Sequence, residues 1–310
     1  MIQKTLAHGK NDTDTNQHFD NAANHEDGGF AKSVLEHVVG MVWHCDSQRH
    51  SERAHALGKS DEQYAGKCEA SSGNDQLKVI EHPSPNHASR NGDQIQSLIL
   101  HYTAESEAVA LQRLCDPNAQ VSAHYLVGVD GTIYHLVDES EAAWHAGYSY
   151  WDGRSRLNSS SIGIEIVNLG NEPYPEAQMK AVEALCKDIL QHNNDIPPSH
   201  VLGHSDIAVT SKNHKSDPGW YFNWKDLASK GIGVWPQPIQ SDYDISRNWS
   251  DSELKQKLNE YGYSTEADLS TVVGAFQRHF QPEIFQTPNK IGIADAETRA
   301  RLACLLRTRL

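Results

Sequence analysis

The 310-residue chain carries 41 aspartates and glutamates against 27 lysines and arginines, a formal net charge of −14. That excess excludes a nucleic-acid-binding surface, which needs a basic face, while the length allows one sizeable core plus a small second domain. Five cysteines (Cys45, Cys68, Cys115, Cys186 and Cys304) are odd in number and scattered, forming neither a disulfide framework nor a CxxC metal pair.

Residues 1–85 are rich in His, Asn, Asp, Ser, Gln and Glu and poor in aromatics, so they are predicted to be a disordered polar segment. Within it, "FAKSVLEHVVGMVWH" spaces Phe30, Val34, Val38 and Val42 as a lone amphipathic helix would. The segment's histidines (His8, His18, His25, His37, His44, His50 and His55) show no regular ligand spacing and suit a solvated tail. No run approaches the roughly 20 apolar residues of a membrane span. Nor does the start show the apolar stretch of about 7–15 residues of a secretory leader. On those grounds alone the chain is expected to be soluble and unexported.

The character changes near residue 86. "SLILHY", "AHYLVGVDGTIYHLV" and "SIGIEIVN" read as strands, with Asp130-Gly131 a hairpin signal and Thr103-Ala104-Glu105 the start of a helix. "YPEAQMKAVEALCKDILQHNN" is a helix: Pro175 suits its first turn, and Met179, Val182, Leu185, Cys186 and Ile189 form one apolar stripe. Pro197-Pro198 stops it, and "HVLGH" reads as a further short strand. Residues 86–235 are therefore expected to form an α/β domain with a mixed central sheet flanked by helices. Residues 236–249, "PQPIQSDYD" onwards, read as a linker. Residues 250–310 read as a small three-helix bundle, with Gly262 ending its first helix and an Asp N-cap opening its last.

His101 closes the apolar run Ser97-Leu98-Ile99-Leu100, and His204 closes a second short strand. A strand-end histidine is ordinarily a hydrogen-bonded structural residue. Here, however, His204 is followed by Asp217 in a Pro-Gly loop, with Lys215 two residues before it. Zinc hydrolases hold the metal with three His or carboxylate ligands from distant segments and leave one position for water, so a metal site stands beside the structural reading. Glu165 alternates with Ile162, Ile164 and Ile166 and faces the opposite side of its strand. On an exposed face it would be ordinary; in a sheet covered on both sides it would be paired, protonated or catalytic. The pattern alone leaves both open.

Five ordered motifs carry a resemblance: "LILHYTA", "VSAHYLVGVDGTIY", "AAWHAG", "LNSSSIGIEIVN" and "LGHSDIA…KSDPG". Together, over roughly residues 80–235, they resemble the zinc-dependent type-2 N-acetylmuramoyl-L-alanine amidases. These include the AmpD- and AmiD-like muropeptide amidases and are related to peptidoglycan-recognition proteins. "VVGAFQRHF" and "GIADAETRARL" are similar to the peptidoglycan-binding module that often follows such amidases. The resemblance implies Zn²⁺ held by His101, His204 and Asp217, Glu165 as general base and Lys215 as stabiliser of developing negative charge. It also implies Trp144, His145 and Gly147 at the substrate cleft, His124 either there or in the core, and Asn158 shaping the loop before the Glu165 strand.

One departure stands out. The family's loop reads like IAPGRKxDPG, whereas this chain has "IAVTSKNHKSDPG", three residues longer, which introduces His214 as a competitor for the metal. The implied reaction is hydrolysis of the amide between the lactyl group of N-acetylmuramic acid and L-alanine in peptidoglycan or muropeptides. The alternative is a non-catalytic wall-recognition protein that keeps the cleft. A wall-binding module favours work in the cell envelope, whereas the leaderless start favours the cytoplasm.

Overall fold

Branched apolar runs become short strands, and stripes at helical spacing become the helices that cover them. The computed structural model describes residues 78–210 and 214–309. The amphipathic stretch around Val34–Val42 and the seven early histidines lie outside the described residues. The chain begins with β1 (Val79–Glu81), β2 (His87–Ser89) and β3 (Ser97–Tyr102), then α1 (Glu107–Cys115). It continues through β4 (Tyr125–Val127), β5 (Ile133–His135), β6 (Glu141–Ala143), β7 (Tyr150–Trp151), β8 (Arg154–Ser155) and β9 (Ser161–Ile166). Next come α2 (Glu176–His192), β10 (Val201–Gly203), α3 (His204–Ile207) and α4 (Trp224–Ser229). Finally α5 (Gln240–Ser246), α6 (Asp251–Tyr261), α7 (Leu269–Phe280) and α8 (Ala296–Thr308) complete the chain.

Six strands form one mixed sheet in the order β1-β5-β4-β9-β3-β10. The β4–β5 hairpin is antiparallel, as Asp130-Gly131 predicted, whereas β4, β9, β3 and β10 run parallel. On one face Leu98, Leu100, Ile162, Ile164 and Ile166 pack against Val182, Leu185, Cys186 and Ile189 of α2. On the other, Ile99 and Leu202 share a cluster with Leu254, Leu258, Tyr261, Val272, Phe276, Phe280, Leu302 and Leu305 of the C-terminal helices. Each fully buried Leu, Ile or Phe contributes about 1.5–3 kcal/mol, so the bundle forms the second layer of the sheet's core.

Three expectations are corrected. The polar stretch predicted to be disordered to residue 85 includes β1, whose backbone pairs with β5 in the register Val79↔Ile133. No helix starts at Thr103: Thr103 N and Ala104 N donate to Ile166 O and Asn168 O, Ala104 takes a left-handed φ of 53°, and α1 begins at Glu107. The supposed linker contains α5. Asp242 caps it by accepting from Ile239 N and is buried against the Arg307 guanidinium at 2.8 and 2.9 Å.

Candidate active site

Three parallel strands end side by side, and residues at or just past their ends, His101, Glu165 and His204, come together at one cleft. In the β3–β9 register His101 lies opposite Glu165. In the β10–β3 register Gly203 lies opposite Leu100, so His204 follows beside His101. The carboxyl ends of adjacent parallel strands are where open α/β sheets place their ligands. Asp217 arrives from the loop beyond α3, held by a bond from Ser205 N to its own carbonyl at 2.9 Å and followed by Pro218 after a cis peptide.

His101 Nδ1, His204 Nδ1 and Asp217 Oδ2 lie 3.0–3.1 Å from one another. All three residues are buried, and they form the one cluster of metal-ligating groups among the described residues. Three ligand atoms at zinc's bond length of ~2.0–2.2 Å in a tetrahedron would be separated by about 3.3 Å, so the triangle is close to one a small divalent ion would fit.

The protons around His101 can be placed from its neighbours. Ser161 Oγ donates its only hydrogen to Leu157 O at 2.6 Å, so towards His145 Nε2 at 3.2 Å it can only accept. Neutral His145 therefore has a bare Nδ1, which accepts from His101 Nε2–H at 3.0 Å. That leaves His101 Nδ1 bare, with its lone pair aimed at the cluster. Burial keeps His101 neutral, pushing its pKa down to about 4, and pushes His145 well below its usual value too. Gly163 makes this possible: a Cβ there would meet the His145 ring at 2.4 Å.

Charge at the cluster is unbalanced. Burial opposes ionisation of Asp217, but the His204 and His101 rings outweigh it and hold the carboxyl well below its usual range. Burial, with the Asp217 charge adding to it, pushes the Glu165 carboxyl well above its own. Glu165 Oε2 and His204 Nε2 are sealed from solvent without a hydrogen-bond partner among the described residues. Buried polar atoms are rarely left so. Two imidazole Nδ1 atoms and the Asp217 carboxylate converging on one point, with Glu165 Oε2 unpartnered beside them, fit a cation.

The cleft is a cavity of about 380 Å³ lined by Trp144, His145, Glu165, His204, Lys215 and Asp217, among others. Three of the remaining expected site residues, His124, Gly147 and Asn158, fall outside the cavity lining. His124 is fully buried in the core, not at the cleft: Gly163 N donates to its Nδ1 at 3.0 Å, and its Nε2–H faces Glu141 O at 3.1 Å. Gly147 is exposed and is not among the residues lining the cavity. Asn158 acts through backbone, its Oδ1 accepting from His145 N and Ala146 N at 3.2 and 2.7 Å. His214 is exposed on the cavity wall, outside the three-atom cluster. Ser161 was missed by sequence reading. Its one signal is its place in "SIGIEI", on the same strand face as Gly163 and Glu165.

Comparison with known proteins gives the same direction. A family model described as N-acetylmuramoyl-L-alanine amidase matches residues 91–220. The N-acetylmuramoyl-L-alanine amidase AmiD of Escherichia coli (strain K12) is 37% identical over 238 residues, covering 68% of this chain and 82% of that protein. The solved structure of E. coli AmiD with the substrate anhydro-N-acetylmuramic acid-L-Ala-D-gamma-Glu-L-Lys is 36% identical, with a TM-score of 0.61 over 72% of this chain and 91% of that one. AmpDh3 of Pseudomonas aeruginosa, in complex with anhydromuramic pentapeptide, is 35% identical, with a TM-score of 0.61 over 72% of this chain and 94% of that one. In fold, in sequence and in the cleft at the strand ends, the chain belongs to the N-acetylmuramoyl-L-alanine amidase family.

Proposed function

We propose that the enzyme hydrolyses the amide between the lactyl group of N-acetylmuramic acid and L-alanine in peptidoglycan or muropeptides, with zinc held by His101, His204 and Asp217. The observation that carries this is the triangle of donor atoms at 3.0–3.1 Å beside the unpartnered Glu165 carboxylate in an open cleft. When bound there, zinc supplies Lewis acidity, lowering the pKa of water from 15.7 to about 7 and polarising the scissile carbonyl.

The side chains supply the rest. Glu165, on the strand next to His101, takes the proton from the attacking water and returns one to the leaving amine, a contribution of typically ~10²–10⁴-fold. Lys215, exposed on the cavity wall, brings its ammonium to the oxygen that becomes negative as the carbonyl turns tetrahedral. Lys215 N donates to Ala208 O at 3.1 Å, which anchors its backbone to the end of α3. Trp144 offers its half-buried indole as the apolar wall of the cleft.

We assign the C-terminal helices to holding the enzyme on insoluble wall polymer in the cell envelope, supported by the "VVGAFQRHF" and "GIADAETRARL" motifs. Adhesion would raise the local substrate concentration. The test is mass analysis of the products from purified muropeptides, with and without a chelator. A free L-alanine-terminated peptide that disappears on chelation and returns with zinc supports the proposal; cleavage at another bond, or chelator-resistant cleavage, sinks it.

A further inference from the structure

A second cavity, of about 350 Å³, opens beside the first and shares its wall residues His214, Lys215 and Ser216. Its far wall is the face of α7 that carries Thr271, Gly274 and Arg278. Every side chain lining it is neutral or basic, with no carboxylate, in a chain of net charge −14. Arg278 is half-buried, with its Cζ 5.0 Å from the Phe285 ring centroid. Phe285 stacks in turn on Trp220, three residues beyond Asp217. Among the described residues, Arg278 makes no hydrogen bond or salt bridge. Arg113, the guanidinium in the first cavity, is by contrast paired with Glu105 at 2.9 Å. A desolvated, unpaired guanidinium aimed into a cavity recovers its lost hydration best from a carboxylate, whose two oxygens match its fork.

We propose that Arg278, lent by the C-terminal bundle, binds the free α-carboxylate of a γ-linked D-glutamate at the second position of the stem peptide. The inference rests on the amide-hydrolysis reading and extends it to peptide specificity. A γ-linked glutamate leaves its α-carboxylate uncommitted. That group lies one residue beyond the L-alanine whose amide is cut, and the second cavity adjoins the first across their shared wall residues Lys215 and Ser216, so it is the neighbouring space for such a carboxylate. Burial lowers the Arg278 pKa, and the negative charges of Asp206 and Asp217 oppose that shift, in keeping with a cation that lacks a direct partner. The bundle is then a wall of the substrate site as well as an anchor.

The test uses the full chain and muropeptides that differ only at the second residue, one with the free α-carboxyl and one with an α-carboxamide. The wild-type enzyme should prefer the acid by roughly tenfold or more in kcat/KM, the scale of a charge-assisted bond. Arg278→Met keeps the aliphatic body against Phe285 and removes the charge. It should bring the ratio close to one by raising KM for the acid, with kcat and the thermal midpoint little changed. Arg278→Lys should keep part of the preference. A second pair, cut back to L-Ala-D-Glu with the γ-carboxyl amidated, should show the same preference; its disappearance there would move the anion further along the peptide and overturn the assignment. An acid-to-amide ratio equal in wild type and Arg278→Met also overturns it. Failure of the wild type to cut any of these peptides overturns the parent reading, and this inference with it.

Discussion

Among the described residues two buried histidine–aspartate clusters stand out, and α3 contributes to both. Asp206 points to the bundle: one oxygen accepts from Gly203 N at the end of β10 at 2.8 Å, and the carboxylate also accepts from the bundle's Tyr263 O–H at 2.6 Å and His279 Nδ1–H at 2.7 Å. The His279 ring lies 3.9 Å from both the Trp224 and the Phe280 ring. His204 points the other way, into the cleft, where three lone-pair-bearing atoms face one another and two neighbouring polar atoms have no partner. The residue types are shared and the bonding state is opposite. A satisfied cluster fixes the fold, whereas one left with surplus acceptors is arranged around something positive.

The comparison breaks most sharply at the proposed metal ligands. His204→Ala should strip the bound metal and take turnover towards the uncatalysed rate, a loss of up to about 10⁶-fold. Metal content by atomic emission and product release, measured on one sample, check it together; full turnover without metal would dissolve the distinction between the clusters. Glu165→Gln should keep the metal but lower kcat by roughly 10²–10⁴-fold. Equal loss of metal in that variant would make Glu165 a ligand, not a base.

The satisfied cluster should respond in a different currency. Asp206→Ala leaves His279 and Tyr263 facing a buried void with unpaired donors, and breaking such a pair costs about 3–5 kcal/mol. A denaturant midpoint well below wild type is the expected result, with metal stoichiometry of the folded protein near wild type. A variant of normal stability that no longer held metal would mean that the two clusters are one.

Much of this was legible in the chain, for identifiable reasons. His101 and His204 each close an apolar run, and a strand terminus is a place the sequence marks. Glu165 was placed on the face away from the isoleucines by alternation alone, and it is there. The bundle's packing on the sheet was hidden, because the stripe Leu269, Val272, Val273 and Phe276 would serve equally a free-standing three-helix module. Helix α5 was hidden as well: its Asp242 is anchored by Arg307, 65 residues away, and no local pattern announces that partner. His124 ends up in the core because its ring fits between β4 and Gly163 of the neighbouring β9, which a motif of four letters cannot express.

Ser161 offers the finest test of the comparison, because it touches neither cleft nor cluster and acts only through proton placement. Its hydroxyl, committed to Leu157 O, forces the hydrogen of His145 onto Nε2 and so leaves His101 Nδ1 bare. Ser161→Ala removes that constraint, and His145 becomes free to carry its hydrogen on Nδ1, facing His101 Nε2. His101 can then avoid the clash only by moving its own hydrogen to Nδ1, where a cation would have to displace it. Partners of this kind typically change metal affinity by about 10–100-fold. A chelator competition should therefore show weaker metal retention in Ser161→Ala, with the thermal midpoint of the metal-free protein close to wild type. Threonine at the same position keeps the hydroxyl and should restore affinity. Unchanged affinity in the alanine variant would mean that the bare nitrogen is set by the cluster itself, with no relay behind it.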